Sequence, residues 1–474
     1  MKLLFPAAAV AVIFLTQVQA APPRIGYVYP AGGQRGTSFE VVVGGQYLDD
    51  PTGVYVSGEG VSAEILEHNK LPSAQVISDY RDKLREIQPS FREPRGGEKR
   101  SAEEMRSMIV DQLSKVELTE KNLRQIEEYE RRRNDPKQQL NTQIGETVRV
   151  RVTVAGDAAP GIRYWRLETS SGLSNPMRFA IGELPEIFEP EPWRFDLFRF
   201  LGLTAPASQD ESTESLGQRT FTLPATVNGR ILPGEVDEFS FEAKEGEQVV
   251  VSLQARNLIP YLADAVPGWF QAVVSLHDTR GRELAFADDY RFDPDPVMFY
   301  KIPRDGEFRI RVHDSIYRGR EDFVYRISIG ELPFLTAISP LGGTAGSEVD
   351  LVFHGGNLDE HHQKRYPIPE TPGVIGLFAT TELGRSNSIS FHADTVPEDA
   401  EREENGRIGV ANELKPPGII NGTIGRPGDV DFFRVKGTGN QPMTFEIFAR
   451  RLGSPVDAGL TIFDDDGNQI GFND

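Results

Sequence analysis

The chain has 474 residues, no cysteine, and 71 acidic against 51 basic side chains, for a formal net charge of −20 at pH 7. This length accommodates three or four domains of roughly 100–200 residues, and without disulfides their cores must be held by apolar burial or by metal ions. The acidic balance argues against nucleic acid and anionic membranes as partners, because both repel a negatively charged surface.

The first 20 residues predict a secretory signal peptide. Lys2 gives a positive start, the run from Leu3 to Leu15 is almost entirely apolar, and Ala20 ends a small-residue cleavage pattern. The run is shorter than the roughly 20 apolar residues that a membrane helix needs, and no later segment approaches that length. We therefore expect cleavage after Ala20, no membrane span, and a protein that is secreted, periplasmic or held at the cell surface.

The sequence that follows opens with a stretch that occurs twice. Pro30 begins a Pro-x-Gly-Gly-x-x-Gly turn followed by an alternating apolar run, and Pro340 begins the same pattern 310 residues later. The turn residues and the alternation predict a turn and a strand. Further on, Ser174-Asn175 matches Ser386-Asn387 at an offset of 212, so the first copy carries an insertion of 98 residues.

Most of this insertion, residues 73–135, has helical periodicity. Its first apolar stripe consists of Val76, Ile77, Tyr80, Leu84 and Ile87. Ser101 with Glu104 forms a capping box, and Pro136 is expected to stop the last helix. The insert is either a partner-binding arm or a solvated decoration packed on its own domain, which is the usual meaning of mixed-sign charge on helices.

The motif Ile-Gly-Glu-Leu-Pro ends at Pro185 and again at Pro333, and we take it to mark domain ends. Residues 186–217 are acidic and contain proline. This composition predicts a linker, whose Trp193, Phe195 and Phe198 we expect to pack back onto a neighbouring domain.

A second repeated stretch, Pro-Gly-Glu-Val-Asp at Pro233 and Pro-Gly-Asp-Val-Asp at Pro427, follows an Asn-Gly turn in both copies. Short alternating runs with glycine turns predict a β-sandwich for the earlier copy. Its expected strands are 247–254, 271–277, 307–313 and 323–329. The later copy stops short of the last two, so we expect an incomplete sandwich in a fragment of a longer protein.

These patterns carry a family resemblance. The Gly-Asp-Val-Asp-x-Phe stretch from Gly428 to Phe433, with the Asp-x-x-Gly-Asn turn that ends at Asn468, resembles the bacterial pre-peptidase C-terminal (PPC) domain. The resemblance covers residues 407–474 and, more loosely, 218–331. The two Pro-x-Gly-Gly-x-x-Gly units resemble the immunoglobulin-like, plexin, transcription factor (IPT/TIG) fold. Together they imply immunoglobulin-like and jelly-roll-like β-sandwiches, often appended to secreted peptidases and usually non-catalytic.

The chain is therefore predicted to be mainly β, with tandem β-sandwiches and a helical insertion in the first domain. The expected order is a signal peptide at 1–20, an IPT/TIG-like domain at 21–185 with its helical insert at about 73–135, a linker at 186–217, a PPC-like sandwich at 218–333, a second IPT/TIG-like domain at 334–395 and a second, incomplete PPC-like sandwich at 396–474.

The resemblance also implies a calcium site. The collagen-binding modules of clostridial collagenases belong to this domain class and hold calcium with a Glu-x-Glu-x-Asn segment and with Asp residues at the following turn. Glu401, Glu403 and Asn405 match the segment, and Asp429 and Asp431 lie near the turn. Several carboxylates and an amide oxygen suit Ca²⁺. The alternative is an acidic linker with turn aspartates that cap backbone amides.

No catalytic or cofactor-binding residue is predicted. The sequence has no His-Glu-x-x-His, no Gly-x-Ser-x-Gly and no cysteine nucleophile. The acidic stretch that starts at Asp464 lacks the glycine and the glutamate of an EF-hand loop, so a hairpin turn is expected there. His361-His362 has no third ligand nearby in the sequence.

Three hypotheses for function follow. The leading one is a secreted, modular, non-catalytic protein for adhesion or substrate targeting, which binds an extracellular polymer or a cell-surface component. The second is the N-terminal, non-catalytic part of an exported peptidase or other hydrolase whose catalytic domain lies beyond residue 474. The third is a structural spacer in a cell-surface assembly.

Overall fold

A computed structural model describes residues 21–91, 101–134, 142–189, 195–203, 219–259, 269–358, 363–439 and 441–474. The protein is mainly β, as the sequence predicts, with 44% of residues in strands against 15% in helices. The chain divides into two units. The first consists of Met1–Glu183, Pro192–Asp210 and Ile259–Ala263, and the second of Leu184–Glu191, Glu211–Leu258 and Asp264–Asp474.

Among the described residues, the α-helices all lie in the first half of the chain. The helices are α1 (Ala74–Ile87), α2 (Ala102–Lys115), α3 (Glu120–Asn134) and α4 (Leu197–Phe200). The strands of the first unit are β1 (Arg24–Tyr29), β2 (Gly32–Gln34), β3 (Ser38–Gln46), β4 (Pro51–Val56), β5 (Val61–Lys70), β6 (Glu146–Val154), β7 (Gly161–Thr169), β8 (Gly172–Leu173) and β9 (Met177–Gly182).

The strands of the second unit are more numerous. Up to residue 330 they are β10 (Glu186–Phe188), β11 (Arg219–Phe221), β12 (Ala225–Arg230), β13 (Asp237–Ala243), β14 (Gln248–Gln254), β15 (Ala272–Asp278), β16 (Glu283–Ala287), β17 (Val297–Lys301), β18 (Gly306–Asp314) and β19 (Val324–Gly330). The next are β20 (Phe334–Ser339), β21 (Gly342–Thr344), β22 (Glu348–Gly356), β23 (Gln363–Pro367), β24 (Gly373–Leu377), β25 (Thr380–Thr381), β26 (Gly384–Arg385) and β27 (Ile389–Asp394). The last are β28 (Glu398–Ala400), β29 (Asn412–Leu414), β30 (Ile419–Asn421), β31 (Phe433–Val435), β32 (Leu460–Phe463) and β33 (Gln469–Asn473).

The first unit is built on a sandwich of two sheets, with strand orders β1-β3-β6-β5 and β2-β9-β7-β4. In β6, valine occupies every second position and faces the core, while the residues between them are more exposed. Trp165 and Phe179 fill the core from the other sheet, with ring centroids 5.2 Å apart. The Asn175 amide accepts a hydrogen bond from Ile25 N at 2.7 Å and donates one to Ile25 O at 3.0 Å.

The helices of the first unit form a core of their own. It contains Ile77, Ile109, Leu113, Leu123 and Leu197, with Phe195 and Phe198 packed against them. The predicted capping box is present: Glu104 N donates to Ser101 Oγ at 3.2 Å, and Ser101 N donates to the Glu104 carboxylate at 2.9 Å. No helix among the described residues is long and apolar enough to cross a membrane, and Trp193 lies outside those residues.

Side-chain hydrogen bonds fasten α3 to β5. Asn69 Nδ2 donates to the Glu128 carboxylate at 3.0 Å, and Gln125 Nε2 donates to Lys70 O at 3.1 Å. The helical insert is therefore packed on its own domain.

The second unit begins with a larger sandwich. Its sheets have strand orders β10-β12-β19-β14-β17 and β11-β13-β18-β15-β16. β12 and β15 are buried along their whole length, and β18 and β19 are central strands of the two sheets. The expected linker needs one correction here: residues 186–188 are strand β10, because their backbone pairs in parallel with β12 and the Glu186 carboxylate binds Arg326.

A smaller sandwich follows, with strand orders β20-β22-β23 and β21-β27-β24. Its Asn387 amide brackets the backbone of Leu335, accepting from N at 2.6 Å and donating to O at 3.0 Å. This is the same bracket that Asn175 makes on Ile25. The sandwich packs on its predecessor through Phe334, whose ring meets that of Phe299 edge-on at 5.4 Å.

From residue 396 onward, the part of the chain that the structure describes forms three two-stranded sheets. β28 pairs with β30 in parallel, β29 with β31 in parallel, and β32 with β33 antiparallel. We call residues 396–474 the last sandwich segment.

Candidate metal centre

Three carboxylates converge at the start of the last sandwich segment. Glu401, Glu403 and Asp431 each place one oxygen within 4.8 Å of the other two. All three belong to the set that the sequence predicts, although Glu403 and Asp431 are 28 positions apart.

Backbone pairing brings these residues together. Glu401 directly follows β28, and its N–H donates to Asn421 O at 3.0 Å, which continues the pairing with β30. The Glu401 carboxylate then accepts from Thr423 N. Four residues further on, Asn405 O accepts from Phe432 N at 3.2 Å, which fixes the acidic segment beside Asp431.

Asn405 completes the cluster and is its most informative member. The residue is 0% exposed, and neither its Oδ1 nor its Nδ2 makes a hydrogen bond. Its amide lies close enough to the Glu401 carboxylate to lower the pKa of that group. Glu401 Oε2 and Asp431 Oδ1 are likewise buried without a hydrogen-bond partner. Buried polar atoms are almost always paired, so an ion or an ordered water among these oxygens would supply the partners that they lack.

The electrostatics of the cluster would favour a bound cation. Burial raises the pKa of Glu401, and the charges of Asp431 and Glu403 raise it further. Burial also raises the pKa of Asp431, which in addition feels Glu403 and Asp429. Like charges held together in this way repel one another, and a divalent cation would turn the repulsion into attraction. Carboxylates with an amide oxygen form a hard-oxygen donor set that fits Ca²⁺.

Asp429, the fifth predicted residue, is not one of the three converging carboxylates, although its charge raises the pKa of Asp431. One of its oxygens accepts from Gly425 N at 2.8 Å, so the side chain caps the turn before β31. The structure thus brings four of the five predicted residues together and gives Asp429 the capping geometry that the alternative interpretation describes.

Sequence comparison missed a second cluster at the equivalent place in the preceding sandwich. Glu189, Glu235 and Asp237 also place their carboxylate oxygens within 4.8 Å of one another. Glu189 follows β10 as Glu401 follows β28, and its carboxylate accepts from Arg230 N at 2.9 Å. The signal lies in the strand pairing: Glu186 stands opposite Thr226, as Glu398 stands opposite Ile419.

Protein groups satisfy this earlier cluster. The Tyr325 hydroxyl donates to Asp237 at 2.6 Å, and Leu232 N donates to Glu235 at 2.8 Å. The two clusters share their framework and differ in what neutralises them.

A third group, Asp49, His68 and Glu146 in the first unit, holds a protein cation. Lys70 Nζ lies 2.6 Å from Asp49 and 3.2 Å from Glu146. The hydrogen bond to Asp49 is the main reason why the pKa of Lys70 is raised. The Lys70 ammonium group therefore supplies the positive charge that a metal ion would supply to this cluster.

The other predicted features have simpler outcomes. Asp464 accepts from Asp466 N and Asn468 N at 3.0 and 2.8 Å in the turn between β32 and β33, so the hairpin prediction is confirmed. The Asn468 side chain also donates to Asp464, and this hydrogen bond, followed by those from the backbone, lowers the pKa of Asp464. His361-His362 lies outside the described residues.

Comparison with known proteins gives a short sequence match. The chain is 32% identical over 80 residues to a probable subtilase-type serine protease of Deinococcus radiodurans. The match covers 17% of this chain and 10% of that protein, so the chain spans about a tenth of the curated relative that it matches. No family model matches the chain.

Solved structures give weak matches. One is the pre-peptidase C-terminal domain of a collagenase from Bacillus anthracis, at 13% identity, with 24% of this chain and 94% of that chain covered and a TM-score of 0.18. Another is a mixed-linkage glucan utilisation protein, SGBP-B, of Bacteroides ovatus, at 6% identity, with 63% and 71% covered and a TM-score of 0.14. At these TM-scores neither match carries an argument about function.

Proposed function

We propose that this chain is a secreted, modular and non-catalytic β-sandwich protein of the PPC and IPT/TIG type, which binds an extracellular polymer or a cell-surface component and uses calcium to stabilise its last sandwich segment. The observation that carries the calcium part is Asn405, fully buried and unpartnered beside three converging carboxylates. The binding part rests on the repetition of sandwiches, whose loops and edges are the usual binding surfaces of such domains.

In this proposal Glu401, Glu403 and Asp431 hold the ion with carboxylate oxygens, and Asn405 adds its amide oxygen. The bound ion supplies positive charge to a cluster with too much negative charge. Glu401 and Asn405 lie on the segment that follows β28, and Asp431 lies on the turn before β31. Calcium would therefore link the start of the last sandwich segment to the turn before β31.

A calcium titration tests this part of the proposal. We expect isothermal calorimetry on the full chain to show a saturable site, and Glu403→Gln to weaken it at least tenfold because one of three charges is lost. Asp465→Asn removes an exposed carboxylate of the β32–β33 turn and should leave the affinity unchanged. Equal weakening by both substitutions, or no saturable binding, would contradict the proposal.

Co-sedimentation with insoluble polymers tests the binding role. Collagen, cellulose, chitin and peptidoglycan are incubated with the chain, with calcium and with EDTA. We expect retention on one class of polymer above the level of an acidic control protein of similar charge. Retention on none of these, together with no binding to whole bacterial cells, would favour the spacer hypothesis.

A second candidate function is the non-catalytic part of an exported peptidase. The 80-residue similarity to a probable subtilase-type protease supports it, since that match covers only a tenth of the protease. The discriminating observation is the coding sequence around this chain: a linked catalytic domain favours the peptidase, and further sandwiches favour adhesion. Hydrolysis of casein by the purified chain itself would contradict both candidates.

A further inference from the structure

The turn that follows β18 presents an aromatic surface at one end of the larger sandwich. Tyr317 is 57% exposed, and its ring lies parallel to that of His313, with the centroids 4.7 Å apart and an angle of 5° between the planes. Ile316, beside it, is 69% exposed. The chain leaves for the next sandwich from the other end of β19, at Gly330. We call residues 313–318 the Tyr317 loop.

One buried carboxylate holds the Tyr317 loop in place. Asp314 is 0% exposed and accepts hydrogen bonds from Ile316 N at 3.1 Å and Arg318 N at 3.2 Å. The Arg318 guanidinium donates to both oxygens of the same carboxylate at 2.9 Å. From the turn before β13, Gly234 N donates to Tyr317 O at 3.2 Å. The aromatic surface is therefore preorganised, which lowers the entropic cost of binding a ligand.

The backbone of Tyr317 is unfavourable for a tyrosine. Its φ of 57° lies in the left-handed region, where glycine is favoured and a bulky side chain is strained. Because more than half of the side chain is exposed, burial of the ring offsets little of this strain. Strained residues cluster at functional sites. The tyrosine side chain therefore does not serve the stability of the loop.

Polar atoms beside the ring pair fit hydroxyl groups. His313 Nδ1 lies 2.9 Å from Asp314 O, and because a carbonyl oxygen only accepts, this nitrogen carries the hydrogen. In the neutral imidazole Nε2 is then an acceptor, and it forms no hydrogen bond within the part of the chain that the structure describes. Ser315 Oγ donates to Gln271 Oε1 at 3.2 Å, so the Gln271 amide turns its N–H groups elsewhere. The surface thus offers an acceptor and donors beside an aromatic ring.

The arginines near this surface are already paired. Arg318 binds Asp314, and the Arg320 guanidinium binds Asp322 at 2.8 Å. Asp314 and Asp322 are 0% and 5% exposed. These pairs offer no guanidinium to an anionic polymer and no accessible carboxylate to a cationic one, so the Tyr317 loop fits an uncharged ligand.

We propose that the Tyr317 loop binds an uncharged polysaccharide, with the C–H face of one sugar ring stacked on Tyr317 and its hydroxyl groups bonded to His313 and Gln271. A sugar ring supplies both a flat apolar face and hydroxyl groups, whereas a proline ring of a collagen-like chain supplies the apolar face alone. This inference rests on the proposed function and specifies the class of extracellular polymer.

Affinity gel electrophoresis of the full chain tests the proposal. The gels contain hydroxyethyl cellulose, galactomannan or dextran as uncharged polysaccharides, and polygalacturonate or gelatin as the charged and the proline-rich comparison. We expect at least one uncharged polysaccharide to retard the chain, in calcium and in EDTA alike, and neither comparison polymer to do so.

Tyr317→Gly separates binding from folding. It removes the ring and relieves the left-handed backbone. We expect the dissociation constant to rise at least tenfold, because an aromatic anchor carries much of the binding energy of a contact, while amide exchange in β18 is no faster than in the wild type. Tyr47→Gly is the matched control and should bind as the wild type does. Tyr47 also has a φ of 57° and is 49% exposed, but its ring stacks on no other ring among the described residues.

Failure of this inference is distinguishable from failure of the proposed function. Retention on collagen, peptidoglycan or whole cells without retardation by any uncharged polysaccharide would overturn the inference and leave the proposed function standing, whereas retention on nothing would overturn both. Unchanged retardation of the Tyr317→Gly variant would also overturn the inference. So would a loss of binding that comes with faster amide exchange in β18, because the side chain would then serve the fold.

Discussion

The proposed calcium site rests on Asn405 more than on any of the carboxylates. Carboxylates often cluster at protein surfaces, where water solvates them, but a neutral amide without a partner costs about 1–3 kcal/mol when buried. Asn405 is fully buried, and neither polar atom of its side chain meets hydrogen-bond geometry, although its amide lies close enough to the Glu401 carboxylate to lower the pKa of that group. The amide oxygen would coordinate a calcium ion, and the ion's charge would also offset the repulsion among the carboxylates.

Asn405→Ala should separate the residue's effect on folding stability from its effect on calcium binding. Without calcium we expect the free energy of unfolding of the last sandwich segment to change by less than about 1 kcal/mol, because the lost packing is offset by removal of an unsatisfied amide. Calcium affinity should fall at least tenfold by calorimetry. Asn468→Ala, whose amide is satisfied by Asp464, is the control: it should lower local stability and leave calcium affinity unchanged.

The pH dependence of the calcium-free protein follows from Glu401 and Asp431. Both have raised pKa values in the folded state, so protonation favours folding, and their contribution to stability is largest at low pH and is lost as pH rises through the folded pKa values. In EDTA, amide exchange at residues 419–421 should therefore report a more stable segment at pH 5 than at pH 7.5. Glu401→Gln with Asp431→Asn should flatten this dependence, and an unchanged slope in the double variant would refute it.

At the scale of elements, β10 and β28 place an acidic segment where a sandwich begins. Each is only three residues long and pairs in parallel with the second strand after it, β10 with β12 and β28 with β30. Side chains then hold the strand: Asn228 and Arg326 bind Glu186 in one case, and Asn421 binds Glu398 in the other. The buried Arg326–Glu186 pair is therefore expected to be a main anchor of β10.

Breaking that pair should be costly. Arg326→Met leaves Glu186 buried and uncompensated, for an expected loss of about 3–5 kcal/mol in the second unit's larger sandwich. Adding Glu186→Gln should recover part of that loss, because the unpaired charge is removed. Arg309→Met, which breaks a more exposed pair with Glu238, should cost no more than about 1 kcal/mol. Chemical denaturation followed by amide exchange in β12 measures all three.

The same elements explain what the sequence could predict and what it could not. Alternating valines around Val150 and the Ser101 capping box are local patterns, and the structure contains both. Glu189 was missed because its correspondence to Glu401 shows only in the strand pairing, β10 with β12 and β28 with β30. The partner strands begin at different distances along the chain in the two copies, so an alignment of the sequence does not reveal the match. Strand β10 was taken for linker because three residues carry too little alternation to predict a strand.

On the scale of the whole molecule, the chain consists of two units whose charged clusters are neutralised differently. In the first unit Lys70 neutralises Glu146, and at the start of the second unit Tyr325 and Arg326 satisfy the acidic residues. In the last sandwich segment, none of the described basic side chains forms an ion pair with Glu401, Glu403 or Asp431. A calcium response should therefore be confined to one part of the chain.

Amide exchange should show this confinement. Calcium at a hundred times its dissociation constant stabilises the binding state by about 2.7 kcal/mol, and only amides of the last sandwich segment should gain that protection. Amides of β6 in the first unit and of β15 in the larger sandwich should exchange at the same rate with calcium and with EDTA. Magnesium, which demands a tighter octahedral site, should protect less than calcium at equal concentration. Protection spread evenly over β6, β15 and β30 would mean that calcium acts on the acidic surface as a whole, and the assignment to Glu401, Glu403, Asn405 and Asp431 would fail.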